Sequence, residues 1–166
     1  DSRARLTLVG GRAGDEYWGA VRYLIVELGL GDAVTMVDQA SMAHLAAIYR
    51  TSDVFVLLSE HEGFCVPLLE AMHFGVPLVT SDLDFARDVC GGAAVYADPL
   101  DAPALARAVA RAVRDDGLRR RLREAGFHRV RGFPGWPERT DAYVEACVAA
   151  ASSASFGSDQ VRVSAR

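Results

Sequence analysis

The chain has 166 residues, 51% of them apolar, and a formal net charge of −4. This length suits one domain with a substantial core, and the apolar fraction excludes a chain that is disordered throughout. The negative balance argues against general nucleic-acid binding, and no apolar stretch reaches the roughly 18 to 20 residues of a membrane span.

Strand-like and helix-like segments alternate along the chain. Strands are predicted at Leu6–Val9, Val34–Val37, Val54–Leu58, Leu78–Thr80 and Ala94–Tyr96. Helices are predicted at Glu16–Leu28, Ser41–Tyr49, Val66–Phe74, near Phe85, and at Asp101–Arg114, Leu118–Val130 and Trp136–Ala149. This alternation predicts an α/β fold, a Rossmann-like three-layer domain with a parallel sheet. We assign the domain to residues 1–150 and predict that the serine-rich polar tail, 151–166, is disordered.

The number and spacing of the cysteines bear on the cellular compartment and on metal binding. Cys65, Cys90 and Cys147 are odd in number and widely spaced. Such spacing forms no metal-binding motif and suits a reducing environment. The sequence therefore predicts a cytoplasmic protein without a metal site.

The segment from Ser59 to Asp82 carries the strongest functional signal. It is read as the end of a strand, a polar loop, a helix, a turn and a second strand. The loop therefore lies at the carboxyl end of one strand and the amino end of one helix, where open α/β sheets bind ligands. The first turn of a helix has unpaired N–H groups and a partial positive charge, so it holds phosphate well.

Individual residues of this segment could each bind a different part of the same ligand. Pro67 fits the first helical turn because its missing N–H would be unpaired there, and Gly63 lets a ligand approach the backbone. Glu70, about one turn into the helix, can accept two hydrogen bonds from a vicinal diol, while Glu62 lies in the loop itself. One pocket can thus hold a diphosphate between two hydroxyl-bearing groups, which describes a sugar nucleotide.

The spacing Glu62-x7-Glu70, written EGFCVPLLE, resembles the signature of retaining glycosyltransferases of family 4 (group 1), which have the GT-B fold. The runs LTLVGG, LAAIYRTSDVFVLLSE and YADPLDAPALARAV also fall in the family's order, so the resemblance covers roughly residues 5 to 145. It implies that Glu70 binds the donor ribose and that Glu62 lies near the transferred sugar. It also implies that the amides of Phe64, Cys65 and Val66 face the sugar and the diphosphate.

The chain departs from the family's pattern in small and large ways. The family usually has glycine at Cys65, proline at Leu58 and glutamate at Asp88. Its earlier strand, its diphosphate-neutralising arginine and lysine, and its amino-terminal acceptor domain have no counterpart in these residues. We therefore expect one half of a GT-B fold with its first strand missing, inactive alone and prone to self-associate through an exposed sheet edge.

Two further candidates lie close to this segment or to a similar turn. His61, beside Glu62, is a candidate base, although a retaining transfer needs charge stabilisation more than a base. Gly10 and Gly11 follow a strand, but GGRAGDEY lacks the G-x-G-x-x-G spacing, which disfavours a dehydrogenase. We predict instead that this pair forms a turn beside the phosphate pocket.

The predicted function is donor binding for transfer of a sugar from a nucleoside diphosphate sugar to an acceptor hydroxyl. We expect no metal or other cofactor, because helix amides and basic side chains stabilise the diphosphate. Two alternatives stay open. One is a sugar-nucleotide epimerase of the same fold, for which His61 is the available acid–base residue. The other is a non-catalytic binding or scaffold module.

The arginine-rich stretch from Arg107 to Arg131 has two interpretations. Asp115, Asp116 and Glu124 are interleaved with its arginines, which favours a solvated face of two amphipathic helices. The alternative is peripheral contact with anionic lipid, which would place the protein at the cytoplasmic face of a membrane.

Overall fold

A computed structural model describes residues 4–10, 15–134 and 144–145 of the chain. The strands are β1 (Leu6–Val9), β2 (Val34–Val37), β3 (Phe55–Leu57), β4 (Leu78–Ser81) and β5 (Ala94–Ala97). The α-helices are α1 (Asp15–Glu27), α2 (Met42–Thr51), α3 (Val66–His73), α4 (Asp84–Cys90), α5 (Ala102–Arg114) and α6 (Asp116–Arg131). A short 3₁₀ turn, Gly91–Ala93, precedes β5.

The strands are parallel, as predicted, but they pair in two separate sheets. β1 pairs with β2, and β3, β4 and β5 pair in chain order. Helices connect successive strands, which is the arrangement that parallel pairing requires. The α/β, Rossmann-like prediction is therefore confirmed. In the described part of the chain, no strand joins β1 or β2 to the three-stranded sheet.

Capping side chains account for the starts of three helices. Ser41 caps α2 by accepting a hydrogen bond from the His44 N–H at 3.2 Å. Asp101 and Asp115 cap α5 and α6 in the same way, so each helix begins where a short polar side chain can satisfy an unpaired amide. Of the predicted last helix only residues 144–145 are described, and they are helical. The predicted tail lies outside the described residues.

The core surrounds α3 and β4. Every residue of β4 is buried, as expected for a central parallel strand covered on both faces. Leu68, Ala71 and Met72 line the buried face of α3. Gly126 of α6 lies directly against Met72, because a Cβ at that glycine would come within 3.2 Å of Met72 Cγ. This close approach packs α6 directly against α3.

Gly75 ends α3 in a conformation that suits glycine. Its φ is +67°, and an added Cβ would come within 2.6 Å of the Phe127 ring. The turn therefore needs both the left-handed backbone and the missing side chain of glycine. It returns the chain directly into β4.

The β1–α1–β2 unit buries much less of its apolar surface. Tyr17, Tyr23, Leu24 and Val26 on α1 are all exposed, with 66%, 67%, 55% and 73% of their surface accessible. No helix in the described part of the chain is long and apolar enough to cross a bilayer.

Thr80, in the middle of β4, is a buried hydroxyl that finds no hydrogen-bond partner among the described residues. Replacing Thr80 with valine keeps the β-branched shape and removes that unpaired group. We expect Thr80→Val to raise the free energy of unfolding by about 1 kcal/mol. Urea denaturation measures the change. Thr35→Val, at an exposed site of β2, is the matched control, and a Thr80→Val protein no more stable than wild type would contradict the prediction.

Candidate functional site

The predicted loop after Leu58 connects β3 to α3, and in the structure the connection spans residues 58–65. It begins where β3 ends, at the carboxyl edge of the three-stranded sheet, and it leads into the first turn of α3. Glu62, Gly63 and Phe64 are exposed, whereas Cys65 is only 5% exposed. The loop thus presents its charged and glycine positions to solvent and anchors its last residue in the core.

Cys65 determines how the backbone enters the helix. It is the residue before α3 and adopts a left-handed conformation, with φ 54° and ψ 67°. This conformation costs a residue with a Cβ roughly 1 to 2 kcal/mol and costs glycine little, which accounts for the family's usual glycine here. Burial, and to a smaller degree the Glu62 carboxylate, raises the pKa of the Cys65 thiol. The thiol therefore serves packing and stays protonated.

The start of α3 offers fewer amides than a helix of ordinary sequence. Pro67 has no N–H, and the Leu68 N–H donates to the Cys65 carbonyl at 3.1 Å. In the described part of the chain, the Cys65 and Val66 N–H groups donate to no backbone carbonyl. These two amides are therefore the donors that the helix start leaves for an anionic group.

Glu70 is held by a residue that the sequence analysis did not select. The Tyr49 hydroxyl lies 3.0 Å from Glu70 Oε2 and 3.5 Å from the Pro67 carbonyl. Burial first, and then the hydrogen bond to Glu70, raises the pKa of Tyr49, so the phenol remains a donor. One signal was present, since a buried tyrosine hydroxyl usually finds a partner. The sequence did not reveal which partner.

The structure places the other predicted residues around the same loop. Gly63 has open space where a Cβ would lie, and its backbone is not left-handed, so neither packing nor backbone conformation within the described residues requires glycine there. Phe64 packs edge-on against Phe133, with ring centroids 5.5 Å apart. Val66 is 54% exposed on the first turn of α3.

A cleft of about 550 Å³ lies beside the loop, where β3, β4 and β5 end. Its lining residues come from the segments that follow these strands: Glu60, His61, Asp82, Leu83, Asp98, Pro99 and Leu100. Asp82 is paired with Arg87 at 2.6 Å. His61 faces this cleft, whereas Glu62 and Glu70 are not among its lining residues. The two predicted catalytic residues, His61 and Glu62, are therefore adjacent in the sequence, but only His61 lines this cleft.

The predicted glycine turn is described only in part. Gly10 directly follows β1, and its N–H donates to the Val37 carbonyl at 3.1 Å. It therefore lies at the end of the two-stranded sheet, whereas the loop at Glu62 follows a strand of the three-stranded one. Gly11 lies outside the described residues. Among the side chains that the structure describes, no cluster of three or more histidine, cysteine, aspartate or glutamate residues could hold a metal ion.

The left-handed backbone at Cys65 leads to a stability prediction. Cys65→Gly and Cys65→Ala both remove the buried thiol, but only alanine must keep a Cβ at φ 54°. We expect the glycine variant to be the more stable of the two by about 1 kcal/mol. Parallel urea denaturation of the two variants isolates this backbone effect. Equal stabilities, or a more stable alanine variant, would show that Cys65 is not strained.

Comparison with known proteins places this fold in one class. A sucrose-phosphate synthase from Thermosynechococcus elongatus superposes with a TM-score of 0.76 and 30% identity, over 87% of this chain and 39% of that one. Anabaena Alr3699/HepE in complex with UDP superposes with a TM-score of 0.76 at 18% identity, over 90% and 42% of the two chains. The fold is thus the Rossmann-like half of a GT-B glycosyltransferase.

The family described as Glycosyl transferases group 1 matches residues 1–129, and the chain belongs to that family. Mannosylfructose-phosphate synthase of Agrobacterium fabrum is 34% identical over 143 residues, which are 82% of this chain and 32% of that protein. O-antigen chain mannosyltransferase B of Escherichia coli is 33% identical over 102 residues, 61% of this chain and 26% of that protein. The chain therefore spans about a quarter to a third of the length of these relatives.

Proposed function

We propose that this chain is the donor-binding domain of a retaining glycosyltransferase that moves a hexose from a nucleoside diphosphate sugar to an acceptor hydroxyl. The observation that carries the proposal is the arrangement at the start of α3. There Glu70, held by Tyr49, lies one turn beyond the unpaired amides of Cys65 and Val66. A carboxylate accepts hydrogen bonds from a ribose diol, and helix amides stabilise a diphosphate.

The relatives support the substrate class. Several are mannosyltransferases, including a GDP-mannose-dependent enzyme of Xanthomonas oryzae, and HepE was solved with UDP and with UDP-glucose. The shared chemistry is a nucleoside diphosphate joined to a hexose. In this proposal Glu62 stabilises charge near the transferred sugar, and His61, which lines the neighbouring cleft, is the candidate base. No metal is required, and the protein acts in the cytoplasm.

The acceptor site in this proposal belongs to residues outside this chain. The relatives are three to four times as long as the matched segment, so we propose that a second domain binds the acceptor and completes the cleft. The arginine and lysine that neutralise the diphosphate in the family come from an earlier strand and glycine-rich loop, and in this proposal those also belong to residues outside this chain. Each of these charged contacts contributes roughly 1.5 to 3 kcal/mol to nucleotide binding. Without them, the 166-residue chain alone should bind nucleotide only near the millimolar range.

Calorimetry with UDP, GDP, ADP and NAD tests the proposal, on both the full-length protein and this chain. We expect the full-length protein to bind one nucleoside diphosphate in the micromolar range and to transfer sugar with retention at the anomeric carbon. The isolated chain should bind the same nucleotide weakly and show no transfer. Conversion of the donor sugar to its epimer would favour the epimerase alternative, and binding of none of the four would favour a scaffold.

A further inference from the structure

We propose that Tyr49 is a positioning residue for nucleotide binding, whose phenol holds the Glu70 carboxylate in the orientation that receives the ribose. This inference rests on the proposed function of Glu70. Tyr49 lies on α2 and Glu70 on α3, so the contact joins two helices that precede and follow β3. Tyr49 itself would not touch the ligand.

The hydrogen-bond geometry assigns the single proton of the phenol. Glu70 Oε2 is 3.0 Å from the hydroxyl oxygen, and the Pro67 carbonyl is 3.5 Å away. The nearer acceptor is also the carboxylate, and hydrogen bonds to ionised acceptors are the stronger ones. The hydroxyl therefore donates to Oε2. Within the described part of the chain, this is the one side-chain hydrogen bond that the carboxylate receives. In this proposal Oε1 is therefore the oxygen that accepts from the ribose.

Packing keeps the phenol in place. Tyr49 is 5% exposed, its ring stacks on Phe74 with centroids 5.3 Å apart, and Phe55 lies 5.6 Å away. The Arg50 guanidinium lies over the same Phe74 ring at 5.1 Å. A ring held in this way cannot move without disturbing the core. A carboxylate bonded to it is therefore ordered before the ligand arrives.

Ordering a binding side chain in advance improves affinity because the ligand no longer has to immobilise it. Without the hydroxyl, Glu70 would rotate among its rotamers in the unliganded protein, and Oε2 would lose its partner. We expect loss of the hydroxyl to weaken nucleotide binding about tenfold. The loss of affinity should depend on the ribose hydroxyls, because these hydroxyls donate hydrogen bonds to Glu70 in the proposed site.

The test uses Tyr49→Phe in the full-length protein, with Tyr96→Phe as the matched control. Both variants remove one tyrosine hydroxyl, but the Tyr96 hydroxyl donates to the Gly91 carbonyl at 2.6 Å. Calorimetry with UDP and GDP is compared with their 2′,3′-dideoxy forms. We expect Tyr49→Phe to lose affinity for the ribose forms and to bind the dideoxy forms like wild type. Tyr96→Phe should match wild type for all four. Urea denaturation verifies that both variants fold.

A double-variant cycle with Glu70→Gln separates this inference from the proposed function. If Tyr49 acts through Glu70, Tyr49→Phe should change ribose affinity in the wild-type background by about tenfold and in the Glu70→Gln background by much less. Wild-type ribose affinity in Tyr49→Phe, or equal losses in both backgrounds, would overturn the role of Tyr49 while leaving the donor site intact. Wild-type affinity in Glu70→Gln alone would overturn the donor site itself, and the role of Tyr49 with it.

Discussion

Glu70→Gln in the full-length protein should weaken donor binding about 10- to 150-fold, the effect of losing charge-assisted hydrogen bonds of roughly 1.5 to 3 kcal/mol. Glutamine keeps the length and shape of glutamate, and its amide oxygen can still accept from the Tyr49 hydroxyl, 3.0 Å from Oε2 in the wild type. The other end of the glutamine amide would then donate hydrogen bonds where the carboxylate accepts them. The ribose diol would lose its charged partner while the side chain stays in place.

Calorimetric affinity for the nucleoside diphosphate and the donor Michaelis constant both measure this change. Glu124→Gln is the matched control, since Glu124 is an exposed glutamate on α6. We expect that control to bind donor like wild type. If Glu70→Gln keeps its donor Michaelis constant and its turnover, Glu70 does not bind the ribose.

Gly63→Val should abolish donor binding and leave the domain folded. An added Cβ at Gly63 meets no atom within 4 Å, and the residue has no left-handed backbone that only glycine would tolerate. The valine side chain would therefore project from the loop into the space that a ligand needs. Close approach of ligand to backbone is the property that glycine supplies at such loops.

Calorimetry with the full-length variant should detect no nucleotide binding, while its urea denaturation midpoint stays near that of wild type. Gly31→Val is the matched control. Its Cβ also meets open space, its backbone is likewise not left-handed, and it lies in the turn between α1 and β2. A Gly63→Val protein that binds donor normally would show that this loop is not a wall of the pocket.

Much of the fold was predictable because its signals are local. The run Val54 to Leu58 predicts a buried strand, and the structure has β3 within it, at Phe55–Leu57. The start of α3 at Val66 agrees as well, since proline in the first turn and glycine after the last turn mark helix ends in any context. The division of the strands into two sheets was harder to predict from the sequence, because pairing depends on which strands are neighbours in space.

The site was predictable in its residues but not in its contacts. Spacing alone places Glu62 in the loop and Glu70 about one turn into the helix that follows it. It cannot show that Tyr49, twenty-one residues before Glu70, donates to that carboxylate, because the contact arises from the packing of α2 beside α3. Nor does spacing show that Cys65, where the family usually has glycine, takes a left-handed conformation. Tertiary packing decided both.

The unequal burial of the two sheets has a consequence for how the chain opens. All of β4 is buried, whereas Leu6 and Val9 of β1 are 47% and 41% exposed. Amide protons exchange with solvent through local openings whose free energy follows the apolar contacts that hold a segment. The amides of β4 should therefore exchange only when the whole domain unfolds. Those of β1 and β2 should exchange earlier, as a separate cooperative unit.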